Sequence, residues 1–175
     1  MKKILLLVPA AAVILLVSSC GGQSTAKPTA EWAKKYASSL EETLDETRAG
    51  YDLFADEIPV EESADPASIQ AAYDEMKATI QAQKKVLADI KPFDGNKEDA
   101  DLSIKLKDEA NKYITLFEKA SDNELSRINE WVKEGKTIEN DELTTTYTDF
   151  ELKSSDTYDG FANEKKNYLA KYSTK

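Results

Sequence analysis

Mainly apolar residues in this chain return at steps of four and three over four separate stretches, in strict alternation in the first two, and that rhythm admits one kind of secondary structure. Steps averaging about 3.5 to 3.8 place one stripe along a helix, whereas a half-buried strand needs a step of two. The first stripe is Ala33, Ala37, Leu40, Leu44, Thr47, Tyr51, Phe54 and Ile58, and the second is Ile69, Tyr73, Met76, Ile80, Gln83, Leu87 and Ile90. The third runs through Leu102, Leu106, Ala110, Tyr113, Phe117, Ser121, Leu125, Ile128 and Val132, drifting slowly around its helix. The fourth is Leu143, Tyr147, Phe150, Ser154, Thr157, Phe161, Tyr168 and Tyr172.

Start and stop signals bracket each stripe. Thr29 is placed as an N-cap with Glu31 in the first turn, and Pro59 stops the first helix. Asp65-Pro66 supplies a cap acceptor followed by a proline whose missing N–H costs nothing at the first helical position. Pro92 closes the second helix, the turn Phe93-Asp94-Gly95-Asn96 follows, and Asn96 with Asp99 caps the third. No proline interrupts Lys97 to Glu134, so the spacing predicts one continuous third helix ended by Gly135. The fourth begins at Asn140 with Asp141 and Glu142 at the positive dipole end. Thr144 to Thr148 have strand propensity and Gly160 costs about 1 kcal/mol within a helix, yet length and period still favour helix. The expected fold is all-α, an antiparallel up-down-up-down four-helix bundle over residues 30–175. A three-helix core with a loosely attached fourth segment is the alternative.

Ahead of the bundle, Lys2 and Lys3 precede an apolar run from Ile4 to Leu16, and Val17-Ser18-Ser19-Cys20 ends it. A basic start, an apolar run and small residues before a cut make a secretory signal. As a membrane-spanning helix Ile4 to Val17 would cover only about 21 Å, against the roughly 30 Å of a bilayer core. The segment resembles the lipobox of bacterial lipoproteins. That resemblance implies a signal peptide at 1–19, diacylglycerol on the thiol of Cys20, and Cys20 as the first mature residue. It also implies a cell-envelope address: the outer membrane in a Gram-negative cell, as Gly21 after the cysteine favours, or the outer face of the cell membrane in a Gram-positive one. Residues 20–29, small and polar with one proline, are expected to be a flexible lipidated tether with a reach of about 15–18 Å.

Composition excludes more than it assigns. From Cys20 onward the chain carries 21 basic and 33 acidic residues, a net of −12, and such a field repels phosphate backbones, so nucleic acid is not an expected partner. Membrane attachment then falls to the acyl chains on Cys20. Histidine is absent and Cys20 is the only thiol, which removes Ser-His-Asp and Cys-His catalysis, histidine-ligated haem and histidine or cysteine zinc sites. None of the sequences GxGxxG, GxxxxGK or GxSxG occurs. No cofactor or metal is expected: the acidic turn Asp94, Asn96, Glu98, Asp99 and Asp101 departs from the EF-hand pattern at Gly95 and at Lys105, and capping acids explain it.

Three functional classes remain. Carboxylate pairs could hydrolyse glycosides if two faced one cleft, but the acids fall mainly on outward positions. Tyr73, Tyr113, Tyr147, Tyr168 and Tyr172, with Gln83 and Ser121, could line an interhelical pocket for a small ligand or a cation. The leading expectation is a non-enzymatic protein that binds another protein or an envelope component. The helix lengths suggest where, since the first two run about 43 and 39 Å and the third about 57 Å. The overhang would carry an exposed cluster of Ile128, Trp131, Val132 and Ile138 at the end farthest from the membrane.

Overall fold

Thr29 opens the first helix, its hydroxyl accepting the Trp32 amide at 3.1 Å. The computed structural model describes residues 26–58, 65–136 and 141–173. Helix α1 is Ala30–Asp56, α2 Pro66–Asp89, α3 Lys97–Asp122, α4 Glu124–Lys133 and α5 Asp141–Tyr172. No strand occurs among the described residues, and none of their helices is long and apolar enough to cross a membrane. Cys20 and Ile138 lie outside the described residues.

The local signals act as their chemistry dictates. Asp65 accepts from the Ala67 amide at 3.1 Å, with Pro66 at the first helical position, and Asn96 accepts from Asp99 at 3.1 Å. Gly135 takes φ +81°, and the amides of Gly135 and Lys136 close onto Val132 and Trp131. That left-handed position is one a side chain would strain. α5 passes through Thr144 to Thr148 and Gly160 without a break. Its buried face, Leu143, Phe150, Ser154, Phe161 and Tyr168, outweighs the local strand propensity.

The third helix differs from the expected continuous one. Asn123 leaves helical geometry, at φ −123° and ψ −87°, and its amide group reaches back to the Lys119 carbonyl at 2.8 Å. The chain turns there, and α4 packs on α2, α3 and α5. A straight continuation would have carried Leu125, Ile128 and Val132 beyond the other helices. Turning buries all three, at roughly 1.5–3 kcal/mol each, which exceeds the cost of interrupting one helix. α1, α2 and α3 then span about 40, 36 and 39 Å, matched in length.

Side-chain pairs give the chain directions. Phe54 meets Tyr73 across α1 and α2, their centroids 5.6 Å apart, and Gly50 lies against Thr79. Lys77 pairs with Asp122 at 2.7 Å and Lys84 with Glu118 at 2.6 Å across α2 and α3. Between α3 and α5, Lys105 pairs with Glu164, while Phe117 lies 5.1 Å from Phe150. Rising numbers on one helix meet falling numbers on the next, so these neighbours are antiparallel. Tyr36 donates to the Ser103 carbonyl at 2.8 Å and Tyr51 stacks edge-on to Phe117, so α1 and α3 run in the same direction.

The core between them is filled by rings and branched chains, with Tyr51, Phe54, Phe117, Phe161, Leu40, Leu44 and Ile80 all inaccessible or nearly so. Buried threonines in α1 return their hydroxyls to the helix, Thr43 to Leu40 and Thr47 to Thr43, which satisfies them without a partner helix. At the start of α1, Pro28 is buried and the Ala26 carbonyl accepts from Asn96 Nδ2 at 3.0 Å. The expected tether therefore ends sooner than residue 29. Ala26 to Thr29 belong to the domain.

Candidate functional site

A cleft of about 350 Å³ opens on the flank where α1, α3 and α5 meet, lined by Asp45, Arg48, Tyr113, Glu151, Ser154, Ser155 and Tyr158. Arg48 organises it. Its Nε donates to Asp52 at 2.8 Å, one terminal nitrogen to Glu151 at 2.9 Å and the other to the Ser154 hydroxyl at 3.2 Å. Burial disfavours the guanidinium charge, but the hydrogen bond and charge of Glu151, with Asp52, outweigh it and raise the Arg48 pKa. The same group lies over the Tyr51 ring, 5.0 Å from its centroid.

The polar groups around it are unequal. Burial pushes the Tyr113 phenol up to about 12, opposed by Arg48. Burial also raises the Tyr51 phenol, with Glu151 and Tyr147 beside it. The Tyr51 hydroxyl and Glu151 Oε1 are buried with no hydrogen-bond partner of ordinary geometry among the described residues. Desolvated oxygens of this kind cost about 1–3 kcal/mol each unless something completes them.

The tyrosines named from the sequence do not converge on one pocket. Tyr73 donates to the Ser121 carbonyl, and Ser121 returns its own hydroxyl to Glu118. Tyr113 faces the Arg48 cleft, Tyr147 lies near Tyr51, and Tyr168 and Tyr172 meet edge to face at the end of α5. They occupy different levels along the bundle, because one stripe supplies a ring at each turn. Gln83 is half-buried.

The expected exposed tip is also corrected. Ile128 is inaccessible and Val132 is 2 % exposed, both folded inward by the turn at Asn123. Trp131 is half-buried against the core, with the Arg127 guanidinium 4.7 Å and the Lys136 ammonium 5.4 Å from its ring centroid. Lys133 bonds to Gln70 and Arg127 to Glu142, which ties α4 to α2 and α5.

The acids of the turn are taken up in side-chain hydrogen bonds and ion pairs. Asp99 is 2 % exposed and takes hydrogen bonds from Asn96 at 2.6 Å and from Tyr172 at 2.6 Å, with the Lys171 ammonium at 2.9 Å. Burial would raise its carboxyl, but Tyr172, Asn96 and Lys171 together hold it down at about 2. Glu98 bonds to Lys171 and Asp101 pairs with Lys97. No group of three or more acidic or thiol side chains suited to a metal ion occurs among the described residues.

Two of these features escaped sequence reasoning. Arg48 reads as an outward charge, and the only hint is its place three residues before Tyr51 of the stripe. Asp99 reads as an acid in the first turn of a helix, which it is, with nothing local to announce Lys171 and Tyr172.

No family model matches this chain, and no curated protein or solved structure matches it either.

Proposed function

We propose that this chain is a lipid-anchored, non-enzymatic helical-bundle protein of the bacterial cell envelope, held through Cys20 and binding a protein or another envelope component. We read its antiparallel pairs as an up-down-up-down bundle. The observation that carries this reading is the filled core. Its aromatic rings interdigitate from Trp32 to Tyr172, whereas a site for chemistry or for an enclosed ligand needs a concave interior with convergent polar groups. Asp45 and Glu151 are the two carboxylates that line the flank cleft, and Glu151 is committed to Arg48. A general acid needs a carboxyl whose proton is retained near neutral pH, and an arginine partner works against that.

Two measurements test it. Cells labelled with a palmitate analogue should mark the wild type and not Cys20→Ser, which should accumulate as precursor. Equal labelling removes the anchor from the reading. Affinity capture from membranes with the native lipoprotein should then return a specific partner in amounts comparable to the bait, and glycan hydrolysis by the purified protein would replace binding by catalysis.

A second reading has one observation in its favour. Glu151, which lines the open cleft and keeps one oxygen without a hydrogen bond of ordinary geometry among the described residues, suits a small cationic or hydrogen-bonding ligand. Titration of amines and divalent cations, followed by amide shifts at Asp45, Arg48 and Glu151, separates the two. Shifts confined to the cleft at millimolar ligand or below would favour the ligand reading.

A further inference from the structure

The docked start of the domain fixes more than a boundary. Asn96 holds the Ala26 carbonyl at 3.0 Å, Pro28 is buried, and Gly95 lies so close that a Cβ there would stand 2.9 Å from that carbonyl. Cys20 precedes Ala26 by six residues. Six peptide steps reach at most about 22 Å however they are arranged. A lipid on Cys20 thus confines the end of the bundle that carries the α2–α3 turn to the neighbourhood of the headgroups.

Charge is distributed in the same sense. The half of the bundle containing that turn, residues 26–43, 78–109 and 157–173, has twelve basic and twelve acidic residues. The other half, residues 44–58, 65–77, 110–136 and 141–156, has eight basic and eighteen acidic residues, a net of −10. An anionic bilayer surface repels the second half and is indifferent to the first. The near end also presents half-buried Trp32 and Phe93, in edge contact at 5.2 Å, with exposed Lys27, Lys91 and Lys97 interspersed with exposed Glu31, Asp94, Glu98 and Asp101, so that its charges are mixed. Amphipathic rings and lysines are the side chains that suit a headgroup layer.

We propose that this end, formed by Lys27, Trp32, Lys91, Phe93 and Lys97, is a membrane-contact surface seated on the phospholipid headgroups, so that the bundle stands upright with its acidic half directed away from the bilayer. The orientation rests on lipid attachment at Cys20 and adds to it a specific face and a direction.

The two tryptophans report on opposite ends, Trp32 in the first turn of α1 and Trp131 in α4. The chain from Cys20 to Lys175 is coupled through its single thiol to a maleimide lipid in vesicles of phosphatidylethanolamine and phosphatidylglycerol containing a dansyl lipid. Energy transfer to the dansyl group is read for Trp131→Phe, which leaves Trp32, and for Trp32→Phe, which leaves Trp131. Because transfer falls with the sixth power of distance and α1 alone spans about 40 Å, Trp32 should transfer at least tenfold more. Equal transfer from both, or more from Trp131, overturns the proposal.

Gly95→Ala brings a carbon to 2.2 Å from the Phe93 ring and 2.9 Å from the Ala26 carbonyl, so it should release Ala26 and drop the ratio toward one. A flexible ten-residue insertion between residues 25 and 26, which leaves the described domain untouched, should do the same. An unchanged ratio in the insertion variant would show that docking at Ala26 does not orient the domain. Since the coupling is chemical, failure of palmitate labelling in cells removes the natural anchor and leaves the vesicle result to be judged by itself.

Discussion

The Tyr172 hydroxyl donates to Asp99 across 2.6 Å, joining the last turn of α5 to the first turn of α3 over 73 residues of sequence. Asp99 thereby serves two purposes, as an acid at a positive helix end and as the clasp for the C-terminal end of the bundle.

The first prediction follows from that clasp. The Asp99 carboxyl is held at about 2 when folded and titrates near 3.9 when unfolded, so it stabilises the fold fully above the unfolded value. That stability, on the order of 2 kcal/mol, is lost as pH falls from about 4 through about 2. Asp99→Asn should cost about that much at pH 7. The gap between wild type and variant in denaturant midpoint should close on acidification, and a gap constant with pH would assign the effect to packing instead.

Core register is tested by charge. Leu44 is inaccessible and Ile80 is 1 % exposed, so Leu44→Asp or Ile80→Asp buries an unpaired carboxylate at several kcal/mol. Circular dichroism should show each variant unfolded or melting far below wild type. Lys35→Ala on the exposed face should melt like the parent.

Trp131 is now a packing residue flanked by Arg127 and Lys136. Trp131→Ala should cost about 2–3 kcal/mol, less than a fully buried tryptophan, and lower the melting temperature by several degrees. A melt identical to wild type would return Trp131 to the role of a free contact residue.

Gly160 lies exposed in the middle of α5, and an added Cβ there meets nothing nearer than Glu109 at 3.8 Å. Gly160→Ala should therefore stabilise the protein by about 0.5–1 kcal/mol, through helix propensity alone. Urea denaturation at equilibrium reads the difference, and destabilisation would mean that α5 bends there.

What could be read in the sequence was what the chain settles locally. Thr29, Asp65, Asn96 and Gly135 cap their helices through partners within three or four residues, and the stripes place most of the core for the same reason. Asn123 was not legible as a break, since the apolar stripe passes through it without a gap. Its cause lies in α2 and α5, which offer Leu125, Ile128 and Val132 a place to be buried. Arg48 was illegible on the same ground, as Glu151 and Ser154 lie 103 and 106 residues away.

The clasp of Ala26 by Asn96 also decides how the molecule carries mechanical load. A pull applied from the N-terminal side enters at one end of α1, and if it is resisted at the far end, where α4 lies, it runs along the helix axis. An early bond to be stressed is the one between Asn96 and Ala26, followed by the Thr29 cap. Beyond these, α1 is loaded in shear along its whole buried stripe from Ala33 to Phe54, so that many contacts must yield together. The domain is thereby arranged to resist tension lengthwise with its full core, after yielding first at the docked start of α1.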